Sequence, residues 1–119
     1  MANYKDGIIR EGSQIGSGTA LGNISDGIIR EARNYSSIGT GTCVGNVKDG
    51  IIYKGNYSSQ GYGDNLGNVK DGIIYKGSWS SPGHGDNIGR VSDFKIEGME
   101  REPEAVMVAA YHFLVKNIF

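Results

Sequence analysis

Apolar residues fall in short runs at a fixed interval over the first ninety positions. Isoleucine pairs stand at 8–9, 28–29, 51–52 and 73–74, each directly after Asp-Gly. Two residues before each of those aspartates is one further apolar residue: Tyr4, Ile24, Val47 or Val69. Short apolar runs bounded by turn residues read as strands. Asp-Gly between two such runs reads as a tight hairpin turn, because glycine takes the positive φ the turn needs. In the strand GIIYKG, Ile51 and Tyr53 project to one face and Ile52 and Lys54 to the other. Both faces therefore carry an isoleucine, and each hairpin needs cover on both sides. A lone hairpin is marginal in water, so neighbouring hairpins must supply that cover.

The interval is a repeat. NVKDGIIYKG at 46–55 recurs letter for letter at 68–77, and aspartates 6, 26, 49, 71 and 93 share one context. Their spacings are 20, 23, 22 and 22. The units are 3–22, 23–45, 46–67 and 68–89, with a partial fifth at 90–98. Each full unit closes with a Gly-x-Gly element (Gly16/Gly18, Gly39/Gly41, Gly61/Gly63, Gly83/Gly85) and then a Leu-, Val- or Ile-Gly pair. Open arrays of repeats need capping units, and the first unit here is not built as a cap. The expectation is one mainly β domain over 1–119: four tandem hairpins of about 22 residues in a closed, pseudo-four-fold ring. The partial fifth unit completes the ring by pairing near the first.

After Gly98 the pattern changes. MEREPEAVMVAAYHFLVKNIF has no glycine and is mostly apolar from Ala105 onward. Pro103 suits a first helical turn, and Glu102 and Glu104 favour a helix N-terminus. A helix is predicted over about 103–117. Its polar residues Glu104, His112 and Lys116 form one narrow strip, so it is expected to be buried against one face of the ring. It holds roughly 15 suitable residues where a membrane span needs about 20. Apolar surface that the ring leaves uncovered would meet a second subunit, so a homo-oligomer is expected, a dimer first, with Val106, Phe113 or Phe119 near the contact.

Composition narrows the classes. Twelve basic and thirteen acidic residues give a formal net charge of −1, which offers no footprint for nucleic acid. Twenty glycines with only two prolines indicate many turns rather than collagen or a linker. The lone Cys43 cannot form an internal disulfide, and no signal peptide is visible in MANYKDGIIR. Both point to the cytoplasm.

Hairpins built on DGII(Y/R)(K/E)G, repeated four times and followed by a helix, resemble the small bacterial proteins called four-fold β-flower proteins. The similarity covers nearly the whole chain. It implies four hairpin petals around a pseudo-four-fold axis, and it implies no activity and no functional residues. A weaker resemblance is to MORN repeats: YKGSWSSPGHGDNIG at 75–89 is similar to their Tyr-x-Gly, Trp and His-Gly-x-Gly pattern. That likeness implies an open scaffold.

Candidate chemistry is thin. Asp6, Asp26, Asp49 and Asp71 read as turn residues rather than a metal ring. The GDN segments at 63–65 and 85–87 have acidic groups in a glycine loop, but the first two units carry GTA and GTC there. They also lack the distal glutamate of a calcium loop. No metal site and no cofactor is expected. His84 and His112 are too few for a zinc site, and nothing near Cys43 suggests a reactive thiol. The Gly-x-Gly elements lack the strand–turn–helix setting of a nucleotide fingerprint. What remains is Tyr35, Tyr57 and Trp79, at matching places in NYSS, NYSS and SWSS, with Tyr62 and His84 between loop glycines. Aromatics flanked by hydroxyls suit half-wet contact surfaces. The functional expectation is a non-enzymatic structural or protein-interaction module. The alternative is a small-ligand binder, for a sugar or peptide, on this aromatic platform. No loop gathers a nucleophile, a base and an orienting partner, so no enzyme is expected.

Overall fold

The computed structural model describes residues 1–119. The chain is mainly β, as expected. Its strands are β1 (Ala2–Lys5), β2 (Ile8–Glu11), β3 (Ala20–Ser25), β4 (Ile28–Glu31), β5 (Thr42–Lys48), β6 (Ile51–Lys54), β7 (Asp64–Lys70), β8 (Ile73–Lys76) and β9 (Asp86–Arg90). They form one open antiparallel sheet in sequence order, followed by a single C-terminal helix, α1 (Glu104–Ala110).

The Asp-Gly turns join β1–β2, β3–β4, β5–β6 and β7–β8. Asp49 has φ 52° and Gly50 φ 79°, and the other three turns are alike. Two central residues at positive φ match the right-handed twist of the flanking strands. Aspartate tolerates that region better than bulkier residues, and glycine enters it freely.

Between hairpins the register shifts by one residue. Ile9 pairs with Gly22 but Arg10 pairs with Ala20, which leaves Leu21 as the extra residue of a bulge. Val44, Leu66 and Ile88 occupy the same bulged place further along. All four turn their side chains to the core side.

The two isoleucines of each strand part ways. Ile9, Ile29, Ile52 and Ile74 are wholly buried in the main core under the C-terminal segment. Ile8, Ile28 and Ile51 are buried on the opposite, outer face, and Ile73 is half-buried there. Neighbouring units do supply cover there. A side chain from the next loop lies on each preceding turn: Ile38 over Gly7, Gln60 over Gly27 and Pro82 over Gly50. Backbone bonds make the same step. The amides of Ile24, Val47, Val69 and Val91 donate to the carbonyls of Gly7, Gly27, Gly50 and Gly72, at 2.8–3.0 Å.

The last links lie outside the hairpins. A 3-10 turn (Val91–Phe94) follows β9, and the chain then returns to β1. There the Tyr4 amide donates to the Glu97 carbonyl at 2.7 Å, and the Glu97 amide donates to the Ala2 carbonyl at 3.1 Å. Gly98 lies beneath Ile15 of the first loop. At the fourth turn, the Gly72 amide donates to the Glu104 carboxylate at the start of α1, at 3.1 Å.

The helix differs from its predicted extent. Pro103 caps it from outside, regular α-helix ends at Ala110, and a π-helical turn (Tyr111–Val115) follows. Lys116 leaves in an extended conformation after its amide closes on the Tyr111 carbonyl at 2.9 Å. The physical reason lies in the sheet. The glycine after each bulged residue has no side chain, and an apolar group from the C-terminal segment fills each gap. Leu114 sits on Gly22, Phe113 on Gly45, Phe119 on Gly67 and Phe94 on Gly89. Phe94 reaches its socket from the 3-10 turn, and the other three sockets cannot be filled from one straight helical face. The segment unwinds so that Phe113, Leu114 and Phe119 each reach their own.

Candidate binding surface on the glycine loops

Each loop after an even-numbered strand, from β2 to β8, folds back over the outer face of its own hairpin. One side chain per hairpin holds it there. Asn3, Asn23, Asn46 and Asn68 are wholly buried. The Oδ1 of Asn46 accepts the Gly61 amide at 2.7 Å, and its Nδ2 donates to the Tyr62 carbonyl at 2.8 Å. Asn68 grips Gly83 and His84 in the same way, as do Asn23 on Gly39 and Thr40 and Asn3 on Gly16 and Ser17. The Gly-x-Gly element is thus the footprint of a buried asparagine. Its first amide and its middle carbonyl are both used, and the middle side chain is left pointing away. The second glycine is needed for close approach: any Cβ at Gly63 would strike the Lys54 carbonyl.

The aromatic residues stand on these pinned loops. Tyr35 is 67 % exposed, Tyr57 48 %, Tyr62 57 % and Trp79 52 %. Tyr57 lies over Gly55, and Trp79 over Gly77, so each packs on its own hairpin edge while staying about half exposed. The rings pair within a loop. Tyr57 and Tyr62 have centroids 6.0 Å apart, and Trp79 stacks on His84 at 5.3 Å. No ring contact joins one pair to the other, and Tyr35 has no aromatic neighbour. The five residues expected to form a platform are therefore two pairs and a single ring, each on its own loop. Beneath Trp79, the Asn65 Nδ2 donates to the Trp79 carbonyl at 2.8 Å and the Ser78 hydroxyl donates to the Asn65 carbonyl at 3.1 Å.

The remaining titratable candidates lie elsewhere. His112 is buried under the C-terminal segment, where its Nδ1 accepts the amides of Ile118 at 2.9 Å and Phe119 at 3.3 Å. Burial holds its imidazole below the usual histidine range, and nearby Lys54 adds to this. The Tyr4 hydroxyl donates to Glu102 at 2.7 Å, and its phenol is pushed up to about 12, first by burial and then by that carboxylate. No three histidine, cysteine or acidic side chains gather as a metal would require. No helix is long and apolar enough to cross a membrane.

The asparagines were not singled out as site-building residues in the sequence, although one heads every full unit. Ile15, Ile38, Gln60 and Pro82 were also missed. They occupy one loop position just before the Gly-x-Gly, but their residue types differ, so nothing but alignment of the units marks them. Comparisons with protein-family models, with curated proteins and with solved structures find no match to this chain.

Proposed function

We propose that the chain is a ring of hairpins, of the four-fold β-flower kind, in which the segment around Glu97 bridges the two ends of the open sheet, and that it acts as a non-enzymatic interaction module in the cytoplasm through its aromatic loops. The ring reading is supported by the sequence of backbone links. Four run from one hairpin to the next unit, and the fifth, from Tyr4 to Glu97, returns to the start. On this reading the segment 90–98 takes a station of its own between the fourth hairpin and the first.

One observation carries the functional part: half-exposed aromatic rings stand on loops whose backbones a buried asparagine already fixes. Tyrosine, tryptophan, serine, glycine and asparagine are the residues of protein-binding loops, because rigid amphipathic rings lose little entropy on contact. Pinning the loop beforehand removes a further ordering cost. The second reading, a sugar or peptide held on one ring pair, is favoured by the Trp79–His84 stack. A half-exposed stacked pair suits the apolar side of a pyranose or a peptide side chain.

Affinity capture from cells that make the protein tests this. The bait is the wild type against a Tyr35→Ala, Tyr57→Ala, Trp79→Ala triple variant with an unchanged circular dichroism spectrum. The wild type is expected to retain a partner that the triple variant loses. Equal recovery by both would sink the loop reading.

A further inference from the structure

Between the first hairpin and the second loop lies a cleft of about 590 Å³. Lys5, Asp6, Ile8 and Arg10 form one wall and floor, and Ser36 and Ser37 the other wall. Lys5 and Ile8 are cross-strand partners, and Arg10 follows Ile8 by two. All three therefore project from the outer face. The lysine stem lies along Gly16, within 3.2 Å of where a Cβ would stand, so its ammonium is carried over the cleft. Neither cation is paired. The only ion pairs in the molecule join Lys95 to Glu97 and Glu100. The hydroxyls of Ser36 and Ser37 have no partner in the protein either. Two free cations and two free hydroxyls thus surround an apolar floor, the buried Ile8.

We propose that this cleft binds a small organic phosphate of the sugar-phosphate type. The guanidinium fork of Arg10 and the ammonium of Lys5 are the pair of donors that phosphate oxygens take, and the serine hydroxyls add neutral donors. The volume is far larger than a bare phosphate and lies in the range of small-molecule sites. An ester therefore fits, with its carbon skeleton on Ile8 and Ile38. Asp6, at the turn end, is the one acidic group in the lining. It accepts from a ligand hydroxyl and turns away a second anionic group.

The other hairpins act as internal controls. The matching cleft on the third, about 400 Å³, has Lys48, Asp49, Ile51 and Ser80 in place, but Tyr53 stands where Arg10 would be. The second hairpin keeps an arginine, Arg30, but has Ser25 for the lysine, and the fourth pairs Lys70 with Tyr75. Only the first combines both cations.

The test is an amide-shift titration of the isotope-labelled chain with glucose 6-phosphate, inorganic phosphate and glucose. Glucose 6-phosphate is expected to produce saturable shifts in residues 5–10 and 34–38 and none around Tyr53, with phosphate weaker and glucose silent. Arg10→Tyr and Lys5→Ser should each weaken binding about tenfold or more, as loss of a charge-assisted hydrogen bond does. Both substitutions copy what the chain itself carries at matching positions, so the fold accepts them, and thermal melts verify this. The proposal is overturned by any of three results: no saturable shift up to about 20 mM ligand, equal shifts at the third cleft, or unchanged affinity in both variants. Inorganic phosphate binding as tightly as the ester would overturn the assignment to an ester.

Discussion

Asn46 shows how much one side chain can organise. Its amide uses a donor and its acceptor on one loop, from a fully buried position. Asn46→Ala leaves the Gly61 amide and the Tyr62 carbonyl without partners inside the protein. It should destabilise the chain by about 1–3 kcal/mol, since two hydrogen bonds of about 0.5–1.5 kcal/mol each are lost. Urea denaturation measures this, and a loss below about 0.5 kcal/mol would show that the loop is held by something else. His112 gives a second residue-scale expectation. Its folded pKa is depressed, so the unfolded chain takes up the proton first as pH falls. The stabilising contribution is complete above the ordinary value of 6.5 and is lost as pH drops through the folded pKa. A proton on Nδ1 would also face the amides of Ile118 and Phe119, which it now accepts. Thermal midpoints should decline below pH 6.5, and a His112→Gln variant should flatten that decline. The same residue scale explains what the sequence left hidden. An Asp-Gly turn declares itself because its conformational demand is met by the two residues named. Asn46 does not, because asparagine is common in loops and only its partners fifteen and sixteen positions on reveal that it is buried.

At the scale of elements, the strands were legible and the helix end was not. Strand positions follow from adjacent residues: isoleucine pairs after Asp-Gly, in period two. Burial of an isoleucine on each face follows from the same pattern. Where α1 stops is decided instead by glycines between 52 and 92 positions earlier in the chain, onto which Phe113, Leu114 and Phe119 must fit. No local preference in AVMVAAYHFLVKNIF encodes those distances. Of the socket glycines, Gly89 has φ 147°, whereas Gly22, Gly45 and Gly67 are not among the positive-φ residues; what those three supply is room, since a Cβ there would meet both the C-terminal side chain and a cross-strand carbonyl. Gly45→Val would drive two methyl groups into the Phe113 ring. Overpacking of this kind costs about 1–3 kcal/mol, and displacement of a core phenylalanine raises that. The measured loss should exceed that of Gly39→Val, where the added Cβ meets nothing within 4 Å and only backbone strain remains. Equal losses at the two sites would remove the socket explanation. By the same geometry, Phe113→Glu should unfold the chain rather than merely separate subunits.

For the whole molecule, the distribution of exposed apolar side chains bears on self-association. The large exposed ones are Ile15, Tyr35, Ile38, Tyr57, Tyr62 and Trp79 on the loops, and Met1. Val106 and Met107 are half-buried on α1. Phe113 and Phe119, expected near a subunit contact, lie on their glycines and are half-buried. If a second copy of the chain is among the partners of the module, the outer loops and the Val106–Met107 edge are the surfaces it would use. Sedimentation at micromolar concentration should give a dimer. A monomer at 12.7 kDa would restrict the module to foreign partners.

The four glycine sockets also act as a gauge. Each hairpin brings one empty place, and the C-terminal segment brings one side chain for it: Leu114, Phe113, Phe119 and Phe94. The hairpins alone have no means of counting themselves, because each meets only its neighbours. On the ring reading, these four side chains would limit the array to four hairpins. Inserting a second copy of residues 46–67 therefore extends the array by a unit that is locally faultless, yet adds a fifth socket with nothing to fill it and widens the gap that Glu97 must span to Tyr4. The longer chain is expected to melt below the parent despite containing more hairpin, which differential scanning calorimetry would record directly. Repeat proteins that stack without a plug behave oppositely and gain stability with each added unit. On that reading the length of the array would be set by its last twenty-six residues.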